Sequence, residues 1–177
     1  MKDLSELNAI YQGLISKCTN VTITNIILAN QGRPPPDISL YATYNPVPIR
    51  AYGQPSVKTQ LSVPQEEFDP DLGDDWQDFE VTKATAMEIM LSVNFFNEGA
   101  AQAAMMLHNA NFRHPVSEYL FKNKIAMRYV SNPRNLSAHY QSGVQPRWQA
   151  DIHLFVEHEV SYAVLRAAGF TVFTSTN

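Results

Sequence analysis

Cysteine is almost missing from this sequence. Cys18 is the only one, so no disulfide framework can carry the fold, and the thiol reads as a buried, reduced side chain of a protein made in cytoplasm. Glycine is scarce, at 7 residues, and charged side chains make up 17%, below the roughly one quarter usual for soluble domains. Against that, 9 Phe, 8 Tyr and 2 Trp exclude disorder as the dominant state. No run approaches the roughly 18 consecutive apolar residues of a membrane-spanning helix. The start, MKDLSELNAIYQGLI, breaks its apolar pattern with Asp3 and Glu6 and does not read as a signal peptide. A chain of 177 residues fits one domain that buries about 70% of its unfolded surface.

Basic residues are absent from one stretch in particular. Glu66 to Glu80 holds eight acids, Glu66, Glu67, Asp69, Asp71, Asp74, Asp75, Asp78 and Glu80, and no Lys or Arg. The whole chain carries 13 bases against 17 acids, a net charge of -4, and without that stretch the remainder stands at +4. A mildly basic body with one acidic segment is unlike the clustered Lys/Arg face of a nucleic-acid-binding protein.

What is present is a sequence of well-marked elements. Leu4, Leu7, Tyr11, Leu14 and Ile15 recur at helical intervals over Asp3–Lys17, with Asp3 and Glu6 placed as a capping box. VTITNIIL, 21–28, is β-branched and predicts a strand ended by Pro34–Pro36. A second strand is expected over Ser39–Tyr44, its continuation toward Tyr52 being edge-like because of Pro46 and Pro48. From Gly53 to Asp78 the periodicity dissolves among Gly, Pro and acids, which predicts a long projecting loop. Phe79–Phe96 alternates, with Met87, Ile89, Leu91, Val93 and Phe95 on one face and Glu88, Ser92 and Asn94 on the other. Glu98–Ala110 and Pro115–Lys122 read as helices, and Ile125–Val130 as a strand. Arg147–Glu157 alternates again, with Trp148, Ala150, Ile152, Leu154 and Val156 inward and Gln149, Asp151, His153 and Glu157 outward. The tail, 160–177, is ambiguous: YAVLRAAG is compatible with a short helix ending at Gly169, and FTVFTST with a terminal strand. The order predicts an α+β fold: a mixed, mostly antiparallel sheet with helices on one face and a projecting acidic loop at 53–78, all in a single domain, 1–177.

Tests for chemistry return little. No HExxH, GxSxG, GxxxxGK or GxGxxG occurs. Asp69, Asp71, Asp75 and Glu80 fall at positions 1, 3, 7 and 12 of a possible calcium loop, but position 6 is Asp74, with Gly73 one place early. His153 and His158 fall on opposite faces of a straight strand, wrong for sharing a metal. Met105 and Met106 in an Ala-rich helix suit core packing or a plastic binding groove. The expectation is a protein without catalytic residues, metal or cofactor.

Three segments carry a resemblance. NQGRPPPDISLYATY with Pro36 and Tyr41–Thr43, MEIMLSVNFFNEGAAQAA with its Phe95–Ala100 turn into a helix, and PRWQADIHLFV with Arg147–Ile152 are together similar to the neck or tail terminator family of tailed bacteriophages, over about residues 3 to 160. The resemblance implies a structural virion protein, assembled in the host cytoplasm, that closes into a hexameric ring on the tail tube. Its implied neighbours are further copies of itself, the tail tube protein, the tail sheath protein where there is one, and a head-side connector or stopper. DNA would pass through the lumen without specific binding, and no membrane is involved. Asp69, Asp71, Asp74 and Asp75 are candidates for contact with a basic neighbour, and Tyr41, Tyr44 and Tyr52 for an arm or edge strand. The competing readings are another connector ring of the same particle, a small metal-dependent hydrolase using His153, Glu157 and the acidic loop, and a monomeric binding module for a basic partner.

Overall fold

A computed structural model describes residues 4–30, 39–62, 78–140 and 143–164. The acids Asp69, Asp71, Asp74 and Asp75, the triple proline, the Asp3 cap and the tail after Val164 lie outside them.

Helix α1, Leu4–Thr19, follows the predicted stripe, with Tyr11, Leu14, Ile15 and Cys18 buried. Asn20 ends it in the left-handed region at φ 62, the role a residue just past a helix C-terminus takes. The strand predicted from Val21 begins late. Ser16 Oγ donates to the Val21 carbonyl at 2.7 Å, Asn25 N–H donates to the Thr22 carbonyl at 2.9 Å, and Ile23–Asn25 form a 3-10 turn. These local bonds offer the backbone an alternative to the ladder, and β1 is only Ile26–Leu28.

Strand β2 runs Tyr41–Ser62 and β3 runs Asp78–Phe96. The long loop predicted over 53–78 is therefore corrected at its first part: 53–62 continues β2. Prolines 46, 48 and 55 did not stop it because they lie beyond the Ile26↔Ala42 to Leu28↔Tyr44 pairing with β1, along an edge where a missing N–H costs no ladder bond. After β3, Asn97 (φ 72) and Gly99 (φ 85) turn the chain into α2, Ala100–His108; positive φ suits Gly and Asn. Then follow α3, His114–Lys122, with Pro115 in its first turn, β4, Ile125–Val130, β5, Arg134–Asn135, the pair β6, Ala138–Tyr140, and β7, Gly143–Gln145, and β8, Arg147–Val164. β8 runs on through 160–164, so the helix expected over YAVLRAAG does not start at Tyr162; the rest of that segment and the FTVFTST strand lie outside the described residues.

The main sheet has the order β1-β2-β3-β8-β4, with β5 also on β8. It is mixed and mostly antiparallel, parallel at β1/β2 and antiparallel at β4/β8 and β5/β8. Leu91, Val93 and Phe95 of β3 and Ala150, Ile152, Leu154 and Val156 of β8 form one core with the buried residues of all three helices, so the helices cover one face. Each large apolar side chain fully buried there contributes about 1.5–3 kcal/mol. Among the described residues, no helix is long and apolar enough to cross a membrane.

Two compact units can be distinguished within the chain: 1–52 with 86–158, and 53–85 with 159–177. The first contains the helices and the core. In the second, Gln60 Nε2 donates to Glu80 Oε2 at 2.6 Å, and the Thr82 and Ser161 hydroxyls bond at 2.8 Å, tying β2, β3 and β8 together.

Candidate functional site

Side chains alternate across a strand. On β3 and β8, the residues between the core positions point away from the helices; Phe96 and Phe155 are among them, but most are polar. Arg147 Nε and Nη2 donate to Asn94 Oδ1 at 3.2 and 3.0 Å. Gln149 Nε2 donates to Ser92 Oγ at 2.8 Å and to Asp151 Oδ1 at 3.2 Å. Arg134, on β5, donates to Asp151 Oδ2.

Glu88 is the centre of the largest cluster. Its Oε2 accepts from Arg50 Nε at 3.0 Å. Its Oε1 accepts from Arg128 Nη1 at 3.2 Å and lies 3.3 Å from His153 Nδ1. Four adjacent strands, β2, β3, β8 and β4, thus meet at one carboxylate. The Arg50 hydrogen bond first, with His153 and Arg128, holds the Glu88 carboxyl below the usual carboxylate range, against the desolvation that would raise it.

Two backbone irregularities make this cluster possible. Ala42 and Tyr44 of β2 face the helix-side core, yet Arg50, an even number of residues further on, meets Glu88 on the other face. The alternation must slip between Tyr44 and Arg50, in the segment holding Pro46 and Pro48. On β4, the register with β8 shifts between Met127 and Tyr129, so Arg128 is an extra residue in the ladder. The guanidinium of Arg128 lies over Tyr129 at 5.8 Å and Phe155 at 6.0 Å, and Tyr129 stacks on His153 with ring centroids 4.3 Å apart.

Within these ion pairs, burial separates the partners by sign. The side chains of Glu88 and Asp151 are 5% and 9% exposed, whereas those of Arg50, Arg128 and Arg134 are 57%, 45% and 57% exposed. Solvent meets guanidinium groups resting on buried carboxylates. Such an arrangement recognises anions through charge-assisted, often bidentate, hydrogen bonds.

The residues singled out in the sequence are dispersed. Tyr41 is buried and stacks on Phe96 at 4.7 Å. Tyr44 is buried in the core, its hydroxyl donating to the Asn8 carbonyl at 3.4 Å. Both lie at the start of β2, which β1 flanks there. Only Tyr52 is exposed, beside Phe155 at 5.1 Å. Asp78, expected at the end of a loop, is the buried first residue of β3. His153 is engaged with Glu88 and Tyr129, and among the described residues no three His, Cys, Asp or Glu side chains are grouped to hold a metal.

On the helix side, Ala100, Ala103, Ala104 and Leu107 pack into the core while Met105 is exposed. Met105 and Met106 line a shallow hollow with Gln102, Asn109 and Arg113, so α2 combines core packing on one side with an open methionine surface on the other. The Glu88 cluster was missed in the sequence. Its one signal was an acid inside an otherwise apolar stretch, MEIML, and its partners come from distant segments that only strand register brings together.

No curated protein matches the chain. A family model described as phage neck terminator protein matches residues 6–176, nearly the whole length and including all three segments that carried the resemblance. With its α+β architecture and an extended sheet, the chain belongs to the phage neck terminator protein family and is a structural protein of the phage neck.

Proposed function

We propose that copies of this chain close into a ring, hexameric in this reading, which ends the growth of the tail tube and joins it to the head-side connector. The family match over 6–176 is the observation that carries this reading. Capping works by shape: one ring face matches the last ring of the tube, and the opposite face offers the tube protein nothing to extend.

A repeated heterologous contact closes into a ring when its rotation closes. Strand β2 supplies a suitable element. Beyond Tyr44 its outer edge has no partner strand among the described residues, and an open edge is a template for pairing with another chain. In this role Tyr41 and Tyr44 root the arm in the core, and the exposed Tyr52 contacts the neighbour. Asp69, Asp71, Asp74 and Asp75 meet a basic partner surface.

The tail tube protein lies on one side of the ring, the connector or stopper on the other, and in a contractile tail the sheath protein lies alongside. Assembly takes place in the host cytoplasm and ends in the virion. Six copies of a chain carrying -4 carry -24 in all, and a lumen that does not attract phosphates lets DNA slide through without specific binding. The function needs no catalytic residue, cofactor or metal.

Production of phage without this protein tests the reading. Free heads and unjoined tails of irregular, extended length are expected. Tails of normal uniform length joined to heads would refute it.

A further inference from the structure

The face of the sheet opposite the helices shows solvent three arginines and buries the two carboxylates that anchor them. Arg50, Arg128 and Arg134 are each anchored by a hydrogen bond to a buried carboxylate, Glu88 or Asp151. Two of them are also held against rings: Arg50 lies over Tyr52 at 5.6 Å and Arg128 over Tyr129 at 5.8 Å. A guanidinium has five N–H donors, so after its anchoring bond each presents further donors in a fixed orientation at the surface. Arg147, over Phe96 at 5.4 Å, extends the same face. The alternation of β8 also places the exposed Glu157 on this face.

We propose that this arginine face receives the acidic segment of a second copy, with Asp69, Asp71, Asp74 and Asp75 of one chain meeting Arg50, Arg128 and Arg134 of the next. The proposal rests on the ring reading and names the contact that links neighbours in it. Charge complementarity selects the occupant: eight acids and no base over Glu66–Glu80, against a remainder at +4. The recognition is geometric as well as coulombic, because a carboxylate matches two parallel guanidinium N–H groups. A head-to-tail contact of this kind uses a different surface on each partner, as a closed ring requires.

The test is the mass of the purified full-length chain in solution, measured by light scattering over a range of protein and salt concentrations. Wild-type rings are expected to weaken as salt rises. The variant Asp69→Asn/Asp71→Asn/Asp74→Asn/Asp75→Asn is expected to raise the half-assembly concentration on the order of tenfold or more with an unchanged melting curve. Arg50→Gln/Arg128→Gln/Arg134→Gln is expected to raise it by a similar factor, with a lower melting temperature because Glu88 and Asp151 lose their partners. If that variant does not fold, the matching Arg→Lys triple variant takes its place; it keeps the charge, loses the bidentate geometry, and is expected to assemble between wild type and the acidic-segment variant.

Mixing separates contact between copies from contact within one chain. An equimolar mixture of the two neutralised variants can form only one of the two kinds of junction in an alternating ring, and is expected to give dimers that do not grow. Absence of dimers in the mixture would overturn the proposal, as would rings of the acidic-segment variant that match wild type. Duplex DNA bound by wild type and lost only with the arginines, with assembly of the acidic-segment variant intact, would assign the face to phosphate instead. A wild-type chain that stays monomeric at every concentration would overturn both this contact and the ring; wild-type rings with an unaffected acidic-segment variant would overturn the contact alone.

Discussion

Arg50 and Glu88 meet across neighbouring strands, Nε–H donating to Oε2 at 3.0 Å, and the carboxylate that accepts is buried while the arginine is exposed. That relationship sets a pH dependence. Arg50, then His153 and Arg128, hold the Glu88 carboxyl below its usual 4.5, so the folded chain keeps this group ionised where the unfolded chain takes up a proton. Its stabilisation is present above the ordinary carboxylate range and is lost as pH falls through the depressed folded value. The melting temperature is expected to fall on acidification below pH 4.5, and Glu88→Gln is expected to melt lower than wild type at pH 7 with a shallower decline in acid. Identical acid profiles for the two proteins would remove Glu88 from the account.

Cys18 behaves as a core residue. It is fully buried, and desolvation pushes its thiol from the ordinary 9.0 up to about 12, against the opposing pull of Arg113. Thiolate is the reactive form, so a thiol reagent at pH 8 is expected to label the protein only as fast as it unfolds. Because the unfolded thiol ionises first as pH rises, its contribution to stability is lost between 9 and about 12.

The Tyr11 hydroxyl is buried without a hydrogen-bond partner among the described residues. A buried, unsatisfied hydroxyl costs about 1–3 kcal/mol. Tyr11→Phe keeps the ring and its edge contact with Tyr44 at 6.4 Å, and is expected to leave stability unchanged or raise it by up to ~1 kcal/mol in urea denaturation.

Gly13 marks a close approach. A Cβ added there would collide with the Tyr119 hydroxyl, which donates to the Ile10 carbonyl at 3.2 Å and packs α3 against α1. Gly13→Ala is expected to destabilise by ~1–3 kcal/mol, and by less in a Tyr119→Phe background, where the colliding oxygen is gone. A double-mutant cycle measures the difference.

Periodicity made α1, β3 and β8 legible, because each presents one apolar stripe to a single core, and the turn at Phe95–Ala100 came from the family resemblance. The first part of VTITNIIL misled because side-chain bonds from Ser16 and Thr19 hold a turn there. The length of β2 was hidden by prolines that an edge strand tolerates. Of the Glu88 cluster only the outward placing of Glu88 and His153 could be read: their meeting with Arg50 and Arg128 depends on the slip in β2 and the extra residue at Arg128, and neither leaves a mark in hydrophobic patterning. The acidic segment was plain in the sequence, and the arginines that complement it became visible only when the fold put them on one face.

Electron microscopy of purified virions, with this subunit located in the density, tests the central claim most directly. A closed ring of this fold between the last tail tube ring and the head-side connector is the predicted result. A subunit placed elsewhere in the particle, or present there as isolated copies that form no ring, would contradict it.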